Sequence, residues 1–148
     1  MRRILAIFLA GGLLAAVSCR ENGALLRDGY YTAEAMEFDN FGWKEFVSIS
    51  VNNGRITSVE YDAKNLSGFI KSWDMDYMRL MNAIDGTYPN EYTRFYGEQF
   101  LTKQDAAAVD ALTGATTSYH SFKQLAAQVI LNAQTGDAPV SLVRLTDQ

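Results

Sequence analysis

The sequence is poor in the residues that build metal centres and disulfide frameworks. It contains one cysteine, Cys19, and one histidine, His120, among 148 residues. A single thiol excludes a disulfide within the chain, and no set of zinc or copper ligands can be assembled around it. We interpret His120 as a solvent-facing helical residue rather than a lone catalytic base. Because a Gly-rich dinucleotide loop is also absent, no residues support a conventional hydrolase or dehydrogenase.

Positive charge is scarce as well. The chain has 13 Lys and Arg against 17 Asp and Glu, and no basic tract. Arg2 and Arg3 are the only charged residues among the first 18, so the chain without that segment carries a formal charge of −6. A negative surface of this kind excludes nucleic acid as a partner and argues against an anionic-lipid patch.

The N-terminus has the pattern of an export signal. Arg2 and Arg3 precede an apolar and glycine run over residues 4–14, and small residues follow up to Ser18. The run is too short to span a membrane. This order predicts a secretory signal peptide over residues 1–18 and therefore an exported protein.

Cys19 stands where cleavage of that signal would make it the first mature residue. The stretch Ala15-Ala16-Val17-Ser18-Cys19 resembles a bacterial lipobox, with Ala16 where leucine is usual. The resemblance implies a lipidated Cys19, a tether over residues 19–27 and a membrane-anchored, extracytosolic domain over residues 28–148. The alternative is ordinary cleavage, which would leave a soluble exported protein with an incidental thiol.

The first half of the domain has the periodicity of strands. Residues 30–35, 43–51 and 56–61 are predicted as three antiparallel strands, with Val47, Ile49 and Val51 on one face. Asn53-Gly54 between the second and third strands is the strongest short hairpin signal.

The second half has helical spacing. Helices are predicted over residues 74–84, from Pro89 through Phe100, and from Ser118 to about Ala133, whereas residues 106–110 are expected to be extended. Asp74 and Asp76 are interpreted as an N-terminal helix turn and not as a catalytic pair. Strands first and helices afterwards indicate a single α+β domain, with an antiparallel sheet packed against C-terminal helices.

One segment stands out chemically. Residues 110–118 carry two very small residues flanked by hydroxyls, directly before the last helix. Small residues allow close approach to the backbone, and the unpaired N–H groups of a first helical turn favour a phosphate. Helix capping by Thr117 or Ser118 would explain one hydroxyl, but not Asp110 or the Gly114-Ala115 pair.

The motif Asp110-Ala111-Leu112-Thr113-Gly114-Ala115-Thr116 resembles the flavinylation pattern Asp-x-x-Ser/Thr-Gly-Ala-Thr of the FMN-binding domain family. That domain occurs in the C subunit of sodium-pumping NADH:quinone reductase, in the G subunit of the Rnf complex and in small lipoproteins. The resemblance to the lipoprotein branch extends along the chain through Asp28-Gly29-Tyr30-Tyr31, Gly42-Trp43-Lys44, Asn53-Gly54-Arg55-Ile56-Thr57, Lys71-Ser72 and Tyr77.

The resemblance implies roles for the motif residues. Thr116 would carry FMN through a phosphoester, installed by a separate flavin transferase that uses FAD and Mg²⁺. Thr113, Gly114 and Ala115 would shape the loop that the transferase reads, and Asp110 would orient this loop or position the acceptor hydroxyl. Thr117 and Ser118 would donate to phosphate oxygens or cap the helix. The candidate stacking partners of the ring are Trp43, Tyr30 and Tyr88, each also explicable as an ordinary core or rim aromatic. Lys71 and Ser72, in a Gly-flanked loop, are candidates for contact with the polar edge of the ring.

The resemblance further implies an electron carrier rather than a stand-alone enzyme, linking a membrane-bound, quinone-linked donor to an extracytosolic acceptor. Two alternatives are a module that binds FMN without a covalent bond and a structural surface lipoprotein without a cofactor.

Overall fold

The computed structural model describes residues 25–146, so the predicted signal peptide and Cys19 lie outside the described residues. Its strands are β1 (Gly29–Ala35), β2 (Lys44–Asn52), β3 (Arg55–Lys64) and β4 (Val140–Val143). Its helices are α1 (Met75–Asp85), α2 (Pro89–Lys103) and α3 (Thr116–Thr135), and a 3₁₀ turn spans Lys71–Trp73. In the described part, no helix is long and apolar enough to cross a bilayer.

The four strands form one sheet in the order β3-β2-β1-β4. β1 and β3 each pair antiparallel with β2, whereas β4 pairs parallel with β1 at the other edge. Helices α2 and α3 cover one face of this sheet. The α+β class is thereby confirmed, and the parallel β4 makes the sheet mixed.

The hairpin between β2 and β3 forms where Asn53-Gly54 predicts it. Asn53 and Gly54 have φ values of 53° and 71°, as a tight two-residue hairpin turn requires. The register then shifts, because Val51 pairs with Ile56 but Ser50 pairs with Ser58. The extra residue in β3 turns Ile56 onto the same buried face as Tyr61.

The core lies between the sheet and helices α2 and α3. Its centre is aromatic: the Tyr61 ring centroid is 6.1 Å from that of Tyr96 and 5.1 Å from that of Phe122. Aliphatic side chains from the sheet and from α3 complete it, namely Val47, Ile49, Val51, Leu125 and Val129. The predicted apolar stripes of α2 and α3 are therefore the buried ones.

Two local expectations are corrected, and helix α1 shows an unusual exposure. Residues 106–110 form turns rather than an extended segment, because the backbone N–H of Ala107 bonds the Asp105 carboxylate. Helix α3 begins at Thr116, two residues earlier than predicted. Helix α1 buries none of its residues, and Ile84, at its apolar spacing, is 71% exposed.

The chain enters the domain at the far end of α3 from Thr116. The Arg27 backbone N–H donates to the Ala133 carbonyl at 2.8 Å, and the Tyr31 hydroxyl donates to the Arg27 carbonyl at 3.1 Å. The N-terminal attachment and the motif before α3 therefore lie at opposite ends of one helix.

Candidate functional site

The loop before α3 approaches the α1–α2 connection more closely than a side chain would allow. Gly114 has φ +84°, and a Cβ there would lie 2.3 Å from the carbonyl oxygen of Asp85 and 3.0 Å from Thr87 Cγ2. Both the backbone conformation and the space at this position therefore require glycine.

The rest of the loop is fastened to α2. The Tyr96 hydroxyl accepts from the Leu112 N–H and donates to the Ala115 carbonyl, each at 3.2 Å. The Asp110 carboxylate accepts from Lys103 Nζ at 2.7 Å, and the same ammonium donates to the Ala108 carbonyl. Asp110 is thus bonded to Lys103 of α2.

The first turn of α3 is left open. Ala115 occupies the N-cap position, where no side chain accepts a hydrogen bond, and Thr117 and Ser118 lie inside the helix. The N–H groups of the first turn have no intrahelical acceptors. Thr116 and Thr117 are exposed and Ser118 is buried. The structure thus brings an exposed threonine hydroxyl together with free N–H donors and the positive end of the helix dipole.

A buried polar cluster lies beneath this turn. The Tyr61 hydroxyl oxygen is 2.9 Å from Glu45 Oε1 and 2.9 Å from the Ser118 carbonyl oxygen. Tyr61 is the donor in both contacts, so the Glu45 carboxyl and the Ser118 carbonyl share its single proton. Burial raises the pKa of Glu45, with opposing contributions from Ser121 and Lys71. The folded protein therefore favours the protonated form of Glu45 more than water does.

We expect Glu45→Gln to remove one component of the pH dependence of stability. A raised folded pKa gives stability that is complete below the ordinary value of 4.5 and is lost as pH rises through the folded pKa. Glutamine does not titrate, and its amide can donate to Tyr61. The urea midpoint of the wild type minus that of the variant should decrease as the pH is raised from 4.5 to 8. The surface variant Glu98→Gln serves as control, and a difference independent of pH would contradict the assignment.

Lys71 and Ser72 are buried in the 3₁₀ turn rather than placed in an open loop. The Lys71 Nζ lies 5.0 Å from the Tyr77 ring centroid and 6.0 Å from that of Trp43. Burial lowers the pKa of Lys71, but the fields of Tyr92, Glu45 and Asp39 outweigh it, and the net shift is upward. The ammonium therefore stays charged at neutral pH.

Several buried polar atoms in the described part have no hydrogen-bond partner. They are Asp62 Oδ2, Ser72 Oγ, Tyr92 Oη and Thr93 Oγ1. Burial raises the pKa of Tyr92 to about 12, so its hydroxyl is protonated. Unsatisfied buried groups are rare in folded proteins, and their concentration around Lys71 and α2 fits a region that receives a polar ligand.

The candidate ring contacts are dispersed. Trp43 is buried edge-on against Tyr77, at 5.9 Å between centroids. Tyr88 is partly exposed at the start of α2. Tyr30 is 84% exposed and lines a shallow groove on the uncovered face of the sheet, away from α3. Of these three, Trp43 is the one in contact with the Lys71 ammonium.

The sequence interpretation missed Glu45, Tyr61 and Tyr92. One signal was present: Glu45 shares the alternating face of Val47, Ile49 and Val51, where a charged residue is unexpected. Tyr61 and Tyr92 had no such signal, because an aromatic residue on a buried face is ordinary.

Comparison with known proteins supports the sequence resemblance. The FMN-binding domain family matches residues 42–131. A 15 kDa lipoprotein of Treponema pallidum (strain Nichols) is 34% identical over 117 residues, covering 79% of this chain and 83% of that protein. A crystal structure of a Clostridium perfringens protein has a TM-score of 0.78 at 37% identity, covering 82% of this chain and 99% of the other. A solution NMR structure of a Clostridium thermocellum protein has a TM-score of 0.52 at 26% identity, covering 83% and 99%.

Proposed function

The chain belongs to the FMN-binding domain family, and we propose that it is an exported, lipid-anchored carrier of electrons with FMN bound covalently to Thr116. The observation that carries the proposal is the exposed hydroxyl of Thr116 on an uncapped first turn of α3. This position combines an acceptor for a phosphoester with N–H donors for the remaining phosphate oxygens.

The neighbouring residues have defined tasks in this proposal. The N–H groups of Thr117 and Ser118 bind the phosphate oxygens, and Gly114 allows the loop to fit against Asp85. Thr113 and Ala115 belong to the surface that a flavin transferase reads, and Asp110 holds this loop through Lys103.

Attachment balances as a phosphoryl transfer. The Thr116 Oγ forms a bond to the FMN phosphorus of FAD while the pyrophosphate P–O bond breaks. AMP leaves, and the hydroxyl proton passes to the transferase, which uses Mg²⁺. When bound, the isoalloxazine accepts and releases two electrons. A covalent bond suits an exported protein, which cannot readily recover a cofactor lost by dissociation.

The test is to co-express the full chain with a flavin transferase and examine it after denaturation. We expect flavin fluorescence in the protein band of a denaturing gel and an intact mass raised by FMN less one water. Fluorescence at the dye front would instead indicate the non-covalent module. Protein without any flavin would favour the structural lipoprotein.

The lipid anchor is a separate proposal, supported by the lipobox resemblance and by the similarity to a lipoprotein. We expect Cys19→Ser to shift the exported protein from the membrane pellet to the soluble fraction, because the thioether for the acyl chains cannot form. Immunoblotting after ultracentrifugation measures the partition, with Thr116→Val as a control that keeps the cysteine. Unchanged pelleting of Cys19→Ser would disprove the anchor.

A further inference from the structure

Lys71 carries a buried positive charge whose N–H groups make no hydrogen bond or ion pair in the described part of the chain. Its residue is 6% exposed. Its ammonium lies over the faces of Tyr77 and Trp43. These contacts and the fields of nearby groups offset the cost of desolvating the ammonium, but its N–H donors are left without an acceptor among the described residues.

The Glu45 and Asp39 carboxyl groups, which lie near Lys71, already accept hydrogen bonds from other groups. Glu45 accepts from the Tyr61 hydroxyl at 2.9 Å, and it acts on Lys71 through its field without a hydrogen bond between the two. The Asp39 carboxylate accepts from the N–H groups of Phe41 and Trp43 at 2.8 Å each. The positive charge therefore lacks a direct anionic partner among these neighbours.

The same region adjoins the start of α3. The Tyr92 hydroxyl lies close to both Lys71 and the Ser118 side chain, and Tyr61 contacts both Glu45 and the Ser118 carbonyl. Lys71 is thus on the inner side of the turn whose outer side carries Thr116. A ligand attached at Thr116 that folds inward would meet the ammonium and the Tyr92 hydroxyl.

We propose that Lys71 contacts the polar pyrimidine edge of a flavin attached at Thr116 and stabilises the negative charge which that edge gains on reduction. The inference rests on the proposed function. The ring takes up two electrons from the quinone-linked donor and one proton from solvent, and it thereby gains one negative charge. The phosphate is bound by the α3 N–H groups, so the ammonium is left for the ring. A fixed positive charge at this edge raises the midpoint potential.

The first test measures the midpoint potential electrochemically on the flavin-loaded full chain. Lys71→Met, which removes the charge at similar length, should lower the potential, whereas Lys71→Arg should keep most of it. A tenfold loss of preference for the reduced ring corresponds to about 30 mV for two electrons, and we expect at least this shift. If Lys71→Met takes up no flavin, Lys71→Gln supplies the neutral variant.

Lys123→Met is the matched control. Its ammonium also lies over a ring, 5.5 Å from the Tyr119 centroid, but it donates to the Ala106 and Ala107 carbonyls. The control should leave the potential unchanged. An unchanged potential in the neutral variant would overturn the proposal. A loss of flavin attachment in both Lys71→Met and Lys71→Gln would also overturn it, since that would assign Lys71 to the phosphate.

The second test uses stability without flavin. In a Thr116→Val background, Lys71→Met should lower the urea midpoint, because the raised pKa of Lys71 means that the folded chain stabilises the ammonium. In the flavin-loaded protein the loss should be larger, because the ammonium then also contacts the ring. A purely structural lysine would instead give the same loss in both backgrounds, and this result would also overturn the proposal. If the wild type carries no flavin at all, the proposed function fails. The flavin content of the wild-type chain, measured before any Lys71 variant is made, tests this separately.

Discussion

Thr116→Val is expected to abolish covalent flavin completely while leaving the fold intact. Valine replaces the hydroxyl by a methyl group of similar size, so no oxygen remains to form the phosphoester. Thr116 is exposed and makes no side-chain cap, and valine and threonine have similar helix propensities. The change in unfolding free energy should therefore stay within about 0.5 kcal/mol. Intact mass and in-gel fluorescence report the flavin, and urea unfolding reports the fold.

Two neighbouring variants make the result specific. Thr116→Ser keeps a hydroxyl at the same backbone position and should keep the adduct. Thr117→Val removes the next exposed hydroxyl of the same turn and should also keep it. If Thr116→Val retained the adduct and Thr117→Val lost it, the acceptor would be Thr117 and our assignment would be wrong.

Gly114→Ala should damage both stability and flavin attachment. The left-handed backbone conformation costs a residue with a Cβ about 1–2 kcal/mol. In addition, the new Cβ would lie 2.3 Å from the Asp85 carbonyl oxygen, which is backbone and cannot rotate away. With the cost of overpacking, we expect a loss of about 3 kcal/mol in unfolding free energy. The displaced loop should also present Thr116 poorly to the transferase, and urea midpoints and flavin content measure the two effects.

Gly86→Ala separates the two causes. Gly86 ends α1, only one residue from Asp85, and has a similar φ of +71°, but a Cβ there meets nothing within 4 Å. This variant should lose only the conformational cost and should keep its flavin. Equal losses in Gly86→Ala and Gly114→Ala would show that contact with the α1–α2 connection is unimportant.

Local signals in the sequence were enough to predict most elements of the fold. Asn53-Gly54 placed the hairpin because only residues that tolerate positive φ suit its turn. Alternation identified β2, and the spacing from Phe122 to Val129 identified the buried face of α3. The bulge near Thr57 and the parallel pairing of β4 could not be predicted from the sequence. Both depend on partners distant in sequence, and β4 is four residues long with Val140 and Leu142 exposed.

The candidate site likewise has one part that the sequence predicts and one part that only the structure reveals. The loop before Thr116 could be found because its residues are consecutive, and so the motif is visible in one line of sequence. The cluster of Glu45, Tyr61, Lys71 and Tyr92 comes from two strands, the 3₁₀ turn and α2, and only the folded chain brings it together. The sequence suggested a first helical turn that could bind phosphate, but it could not decide whether Thr117 or Ser118 caps that turn, because both residue types often do.

The length of α3 helps to set how far from the membrane the proposed carrier can hold its redox group. At 1.5 Å per residue, Thr116 lies about 25 Å along the helix from Ala133, where Arg27 is bonded. The eight residues from Cys19 to Arg27 span at most about 28 Å. A domain anchored at Cys19 can therefore hold its redox group anywhere from the headgroups to roughly 50 Å above them. Reorientation of the tethered domain, rather than free diffusion, would bring the redox group to a donor in the bilayer and then to an acceptor beyond it.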